Sequence, residues 1–207
     1  MRTLATRFAL ALLFLPLHAH AAQVWEVADN LAPGPSFSEV AHARGFGGTL
    51  VSADFDGDGD DDLAVAAPYA DSPGRSPDSS VYSAGMVRIF WGAPGRTLTQ
   101  AISLRGTNGF DDLGSALAAG DFDGDGRPEL AIGGDSANVN GLGGGKVWIE
   151  RYAAGSWQRV ATLDQDTPGV PGMTEPSDSF GAALTVGDFD HDHFDDLAVG
   201  IPYEDWG

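Results

Sequence analysis

Phe46-Gly47-Gly48-Thr49-Leu50-Val51-Ser52-Ala53-Asp54-Phe55-Asp56-Gly57-Asp58-Gly59 returns twice further along the chain. The second copy is Leu113-Gly114-Ser115-Ala116-Leu117-Ala118-Ala119-Gly120-Asp121-Phe122-Asp123-Gly124-Asp125-Gly126. The third is Phe180-Gly181-Ala182-Ala183-Leu184-Thr185-Val186-Gly187-Asp188-Phe189-Asp190-His191-Asp192-His193. Asp54, Asp121 and Asp188 are spaced 67 residues apart. That period is too long for a leucine-rich or ankyrin unit and suits one small sheet per repeat.

Within each unit, short apolar runs are separated by Gly, Pro, Asp and Ser, with no extended stretch of helical period. The pattern predicts an all-β chain with four strands per unit. In the first unit these fall at Thr49 to Ala53, Leu63 to Ala67, Met86 to Trp91 and Ala101 to Leu104. In the second they fall at Ala116 to Gly120, Leu130 to Gly133, Lys146 to Tyr152 and Val160 to Leu163. The third unit reaches a second strand at Leu197 to Ile201. Gly85 corresponds to Gly145, so the loop before the third strand is shorter in the second unit. Loops vary while strands and Asp clusters keep register, as on a scaffold with variable connections.

Numbered from its first Asp, each loop carries acids at positions 1, 3, 5 and 9. These are Asp54, Asp56, Asp58 and Asp62; Asp121, Asp123, Asp125 and Glu129; and Asp188, Asp190, Asp192 and Asp196. Position 7 is Asp60, Arg127 or Phe194. It shares no side-chain type, so its backbone carbonyl is the expected further ligand. Calcium takes 6 to 8 oxygens in tolerant geometry, and alternate residues of a tight loop can aim oxygens at one centre. Up to three Ca2+ ions are therefore expected. Glycine at position 6, Gly59 and Gly126, permits the sharp turn that folds position 7 back. His193 breaks that rule, which leaves the third site either strained or weaker.

An EF-hand would need Glu at position 12, where this chain has Val65, Ile132 and Val199, and helices on either side. Both requirements fail, so the loops join strands. Asp-Gly pairs also make plain hairpin turns, but three copies that keep the acid at position 9 favour metal. Without a cation the crowded carboxylates should repel and resist ionisation. Folding is expected to depend on calcium.

The net charge of −19 comes from 30 acidic against 11 basic residues. Such a field disfavours nucleic acid and anionic membranes as partners. The chain is still 43% hydrophobic and 10% aromatic, too apolar for a disordered acidic segment. It has no cysteine, which excludes disulfides, thiolate metal sites and a Cys nucleophile. Arg2 and Arg7, the apolar run from Phe8 to Leu17 and Ala19-His20-Ala21 read as a secretory signal over 1–21. The apolar run is too short to span a bilayer. Secretion, the periplasm or the cell surface follows as the expected location, with no membrane span once the signal is cleaved.

The residues bracketing the loops resemble the FG-GAP repeat, the unit of the β-propeller of integrin α subunits. The resemblance rests on Phe46-Gly47 with Ala66-Ala67-Pro68, and on Phe180-Gly181 with Gly200-Ile201-Pro202. The second unit matches less fully, with Leu113-Gly114 and Gly133-Gly134-Asp135. It implies propeller blades of four antiparallel strands, with calcium between the first two strands of a blade. Repeats are expected over 46–112 and 113–179, a partial one over 180–207, and an N-terminal segment over 22–45. That makes an incomplete propeller of about two and a half blades, against at least ~4 in a closed one. The chain is thus expected to be part of a longer propeller, with self-association as the other way to cover its open faces. Val24-Trp25-Glu26-Val27 is similar to the strand that completes a last blade.

Other candidates have plainer readings. His191 and His193 flank Asp192 without a Cys or third His nearby, so loop divergence explains them better than zinc. His42 is isolated. No Gly-x-Ser-x-Gly elbow or phosphate loop occurs, so no enzyme activity and no catalytic residue is expected. Trp91 and Trp148 lie in or beside apolar strands, where packing between blades is the default over sugar stacking. No Arg-Gly-Asp triplet and no Asn-x-Ser/Thr acceptor is present. The leading expectation is an exported module for adhesion or binding to an extracellular protein or glycan, with structural calcium. The alternative is the non-catalytic propeller portion of a secreted hydrolase or lyase.

Overall fold

The computed structural model describes residues 11–14, 23–26, 44–73, 80–93 and 99–204, and the chain divides into two units, Met1–Ser38 and Glu39–Gly207. In the first, β1 (Ala11–Phe14) pairs antiparallel with β2 (Gln23–Glu26), Leu12 opposite Trp25. The segment expected to complete a blade is therefore paired with the apolar stretch of the expected leader. The expected cleavage point after Ala21 lies outside the described residues.

The second unit begins with a four-stranded antiparallel meander. It contains β3 (Leu50–Ala53), β4 (Asp62–Ala67), the short β5 (Ser72–Pro73) and β6 (Ser80–Val81), then β7 (Met86–Trp91) and β8 (Thr99–Arg105). The sheet order is β3-β4-β7-β8, with β5 and β6 pairing as a small hairpin between β4 and β7. The second repeat does the same with β9 (Ala116–Gly120), β10 (Glu129–Gly134), the hairpin β11 (Asn138–Val139) and β12 (Leu142–Gly143), β13 (Lys146–Ala153) and β14 (Ser156–Leu163). The third contributes β15 (Ala183–Gly187) paired with β16 (Asp196–Gly200). The ladders of β7 with β8 and of β13 with β14 shift register at corresponding places, after Arg88 and after Ile149. Even the irregularity of the unit is repeated.

Alternation along the strands makes the sheets stack. Leu130, Ile132 and Trp148 of the second sheet pack with Ala64, Ala66, Val87 and Ile89 of the first, around Phe55. Their neighbours Ala131, Val147 and Ile149 point the other way, toward Phe180, Leu184, Val186, Leu197 and Val199. The middle sheet is thus covered on both faces, and β10 is buried at every position. Each fully buried Leu, Ile or Phe contributes roughly 2 kcal/mol of transfer free energy.

The bracketing motifs have a physical explanation. Gly47, Gly114 and Gly181 adopt left-handed φ of 85°, 99° and 87°. Their N–H groups donate to the carbonyls of Ala66, Gly133 and Gly200, at the end of the second strand of the same unit. The residues before the second and third of these glycines also face the preceding repeat: Leu113 and Phe180 lie against Gly85 and Gly145, where a Cβ would collide with their backbone. Among the described residues, no helix is long and apolar enough to cross a membrane.

Candidate metal centre

Each acidic loop is closed at its base by the first pair of a β-ladder. Ala53 stands opposite Asp62, Gly120 opposite Glu129 and Gly187 opposite Asp196. The position 9 acid therefore opens the second strand and turns back into the loop. There its carboxylate accepts the N–H of position 2: Phe55 to Asp62 at 2.9 Å, Phe122 to Glu129 at 3.0 Å and Phe189 to Asp196 at 2.8 Å.

The position 1 carboxylates organise the turn. Asp54 accepts the N–H groups of Gly57, Asp58 and Gly59; Asp121 accepts those of Asp125 and Gly126; Asp188 accepts those of Asp192 and His193. In all three loops position 3 accepts from position 5, and position 5 accepts from position 7, which is Asp60, Arg127 or Phe194. The backbone is left-handed at positions 4 and 6 of every loop, with φ of 94° at Gly59, 90° at Gly126 and 75° at His193. His193 thus takes the conformation that favours glycine, at a cost of roughly 1–3 kcal/mol.

Carboxylate oxygens of Asp54, Asp56 and Asp58 lie within 4.8 Å of one another; so do those of Asp121, Asp123 and Glu129, and those of Asp188, Asp190 and Asp196. An ion with bonds of about 2.4 Å can touch oxygens up to twice that far apart. Position 9 differs between loops. Both oxygens of Asp62 accept backbone N–H groups, from Phe55 and Gly92. Glu129 is 2% exposed, yet its Oε1 has no hydrogen-bond partner. Burial raises the pKa of Asp62 to about 6, with the charges of Asp56 and Asp54 adding to it. Burial also raises Glu129, and Asp123, Asp125 and Asp121 push it further.

Two partners were not evident from the sequence. Arg151 on β13 donates from Nη1 to Asp123 Oδ2 at 2.7 Å; no local signal announces a contact across 28 residues. Asp195 accepts the Asp121 N–H at 2.9 Å. Here a signal existed, since position 8 is acidic in two loops of three, Asp61 and Asp195. His193 is 94% exposed at the side chain, with Nδ1 4.0 Å from Asp188. Trp148 is buried in the core between sheets, and Trp91 stacks with Trp157 at 6.3 Å.

The FG-GAP-like repeat model matches residues 54–132, and the FG-GAP repeat model matches residues 180–207. Together they cover more than half of the chain. The chain belongs to the FG-GAP repeat family. This FG-GAP protein is 31% identical over 186 residues to the phosphatidylinositol-glycan-specific phospholipase D of Rattus norvegicus, covering 85% of this chain and 21% of that one. It is 31% identical over 165 residues to integrin alpha-PS2 of Drosophila melanogaster, covering 76% of this chain and 10% of that one. The FG-GAP protein therefore spans only a small part of either relative. A rhamnogalacturonan lyase of Bacillus licheniformis superposes with a TM-score of 0.45 at 18% identity, over 72% of this chain and 28% of that one.

Proposed function

We propose that this FG-GAP chain is a piece of an exported β-propeller whose loops hold structural calcium, serving as a binding or adhesion module for an extracellular protein or glycan. The observation that carries the calcium reading is Glu129 Oε1, a buried carboxylate oxygen without a donor beside Asp121 and Asp123. A lone buried charge of this kind is costly, and a cation is the partner that relieves it. Asp54, Asp56 and Asp58 would hold an ion in the first loop, and Asp188, Asp190 and Asp196 one in the third. Calcium supplies positive charge and oxygen coordination that draw the loop carboxylates together. The propeller reading is supported by meander sheets stacked face to face, and the binding role by the likeness to an integrin α subunit.

The second reading, a non-catalytic portion of a secreted hydrolase, is favoured by the likeness to the phospholipase D over 85% of this chain. Thermal melting tests the calcium reading. Excess chelator is expected to lower the melting temperature by many degrees, and an unchanged melt overturns it. Retention on immobilised matrix proteins and glycans, with calcium and with chelator, tests the binding role. Calcium-dependent retention is expected, and none on either class overturns it.

A further inference from the structure

The three loops meet their neighbours differently, and position 8 makes the difference: Asp61, Pro128 and Asp195. Asp195 N–H donates to the Asp121 carbonyl at 3.1 Å, and Asp121 N–H donates back to the Asp195 carboxylate at 2.9 Å. This reciprocal pair joins the third loop to position 1 of the second, the residue whose carboxylate gathers the N–H groups of Asp125 and Gly126. The ring of Phe194 adds a second contact, occupying the space a side chain at Gly124 would need. Between the first and second loops, Pro128 has neither an N–H nor a carboxylate to offer. What crosses there is the flexible Arg127, whose Nε lies 2.8 Å from where a Cβ on Gly57 would stand.

Resting on the calcium reading above, we propose that Asp195 is a positioning residue that couples the second and third loops. Calcium in the third loop raises the affinity of the second, while the first loop binds independently. The metal-free third loop crowds Asp188, Asp190, Asp192 and Asp196, and holds His191 and His193 at φ of 67° and 75°. A cation there orders the segment that contains Asp195. Ordered Asp195 then fixes Asp121, so part of the ordering cost of the second loop is met before its own ion arrives. By linkage the second ion favours the third equally.

Isothermal calorimetry with calcium chloride on the whole chain tests this, with loops disabled in turn. Disabling the third by Asp188→Ala with Asp190→Ala is expected to weaken the second loop by about tenfold. Asp195→Ala should weaken the second loop while the third still binds, and in that background the third-loop knockout should have a smaller further effect, carried by the remaining Asp195 N–H and Phe194 contacts. Asp195→Asn keeps an acceptor for the Asp121 N–H and should recover most of the affinity. Disabling the first loop by Asp54→Ala with Asp56→Ala should leave the second unchanged. Equal second-loop affinity with the third loop intact or disabled overturns the coupling, as does equal weakening from the first loop. If the third-loop knockout fails to fold by circular dichroism, the comparison of Asp195→Ala with Asp195→Asn decides. A wild-type chain that takes up no calcium overturns the calcium reading itself, a result distinct from three independent binding events.

Discussion

Glu129 and Asp62 occupy the same position of their loops and behave differently. Asp62 has a donor for each oxygen, whereas Glu129 has one for Oε2 only. Glu129→Gln keeps the acceptor for Phe122 but removes the charge. Calorimetry should therefore show one calcium fewer, and in chelator the variant should melt higher than wild type because a buried charge has gone. A lower melt in chelator would show that the carboxylate is not strained there. Asp62 provides a pH test. Its folded pKa of about 6 lies above the ordinary value of about 3.9, so the folded state binds the proton more tightly. The stability this gives is present below the ordinary value and is lost as pH rises through the folded one. In chelator, the melting temperature should fall between roughly pH 4 and 6, and Asp62→Asn should flatten that slope. An equal slope in the variant would assign the fall to other groups.

Strands with a bounded apolar run were legible in the sequence, and those held by their partners were less so. β7 and β9 lie where the runs of residues 86–91 and 116–120 predict. β4, β10 and β16 start one residue before the predicted strands, because the position 9 acid is at once a loop residue and a ladder residue. β14 begins at Ser156 rather than Val160, since its outward residues Gln158 and Arg159 carry no apolar signal and pairing with β13 holds it. The two-residue hairpins β5–β6 and β11–β12 have no apolar run to read. The spacing of the acids displayed the loops, but the links from Arg151 and Asp195 depend on tertiary approach over 28 and 74 residues. At this scale the glycine that opens β13's turn is decisive. Gly145 has φ of 95° and no room for a Cβ against Phe180. Gly145→Ala should destabilise the chain by more than about 3 kcal/mol, through backbone strain and separation of the third unit. Denaturant unfolding measures this, and a loss under about 1 kcal/mol would contradict the packing argument.

At the scale of the molecule, the chain carries a charge of −19, and in its second unit the sheets of successive repeats pack against one another. Repulsion among the loops should fade as the screening length falls from about 10 Å in 0.1 M salt to about 3 Å in 1 M. In chelator, sodium chloride over that range should raise the melting temperature by several degrees, with a smaller gain when calcium is present. A melt insensitive to salt in chelator would show that loop repulsion does not limit stability. The contacts between units also have a direction. Gly85 and Gly145 receive Leu113 and Phe180 of the unit that follows. Both of these seats are built by an earlier stretch of chain and filled by a later one. A polypeptide leaving the ribosome therefore finds each seat already made when its occupant emerges, so that the order of synthesis is also the order of assembly.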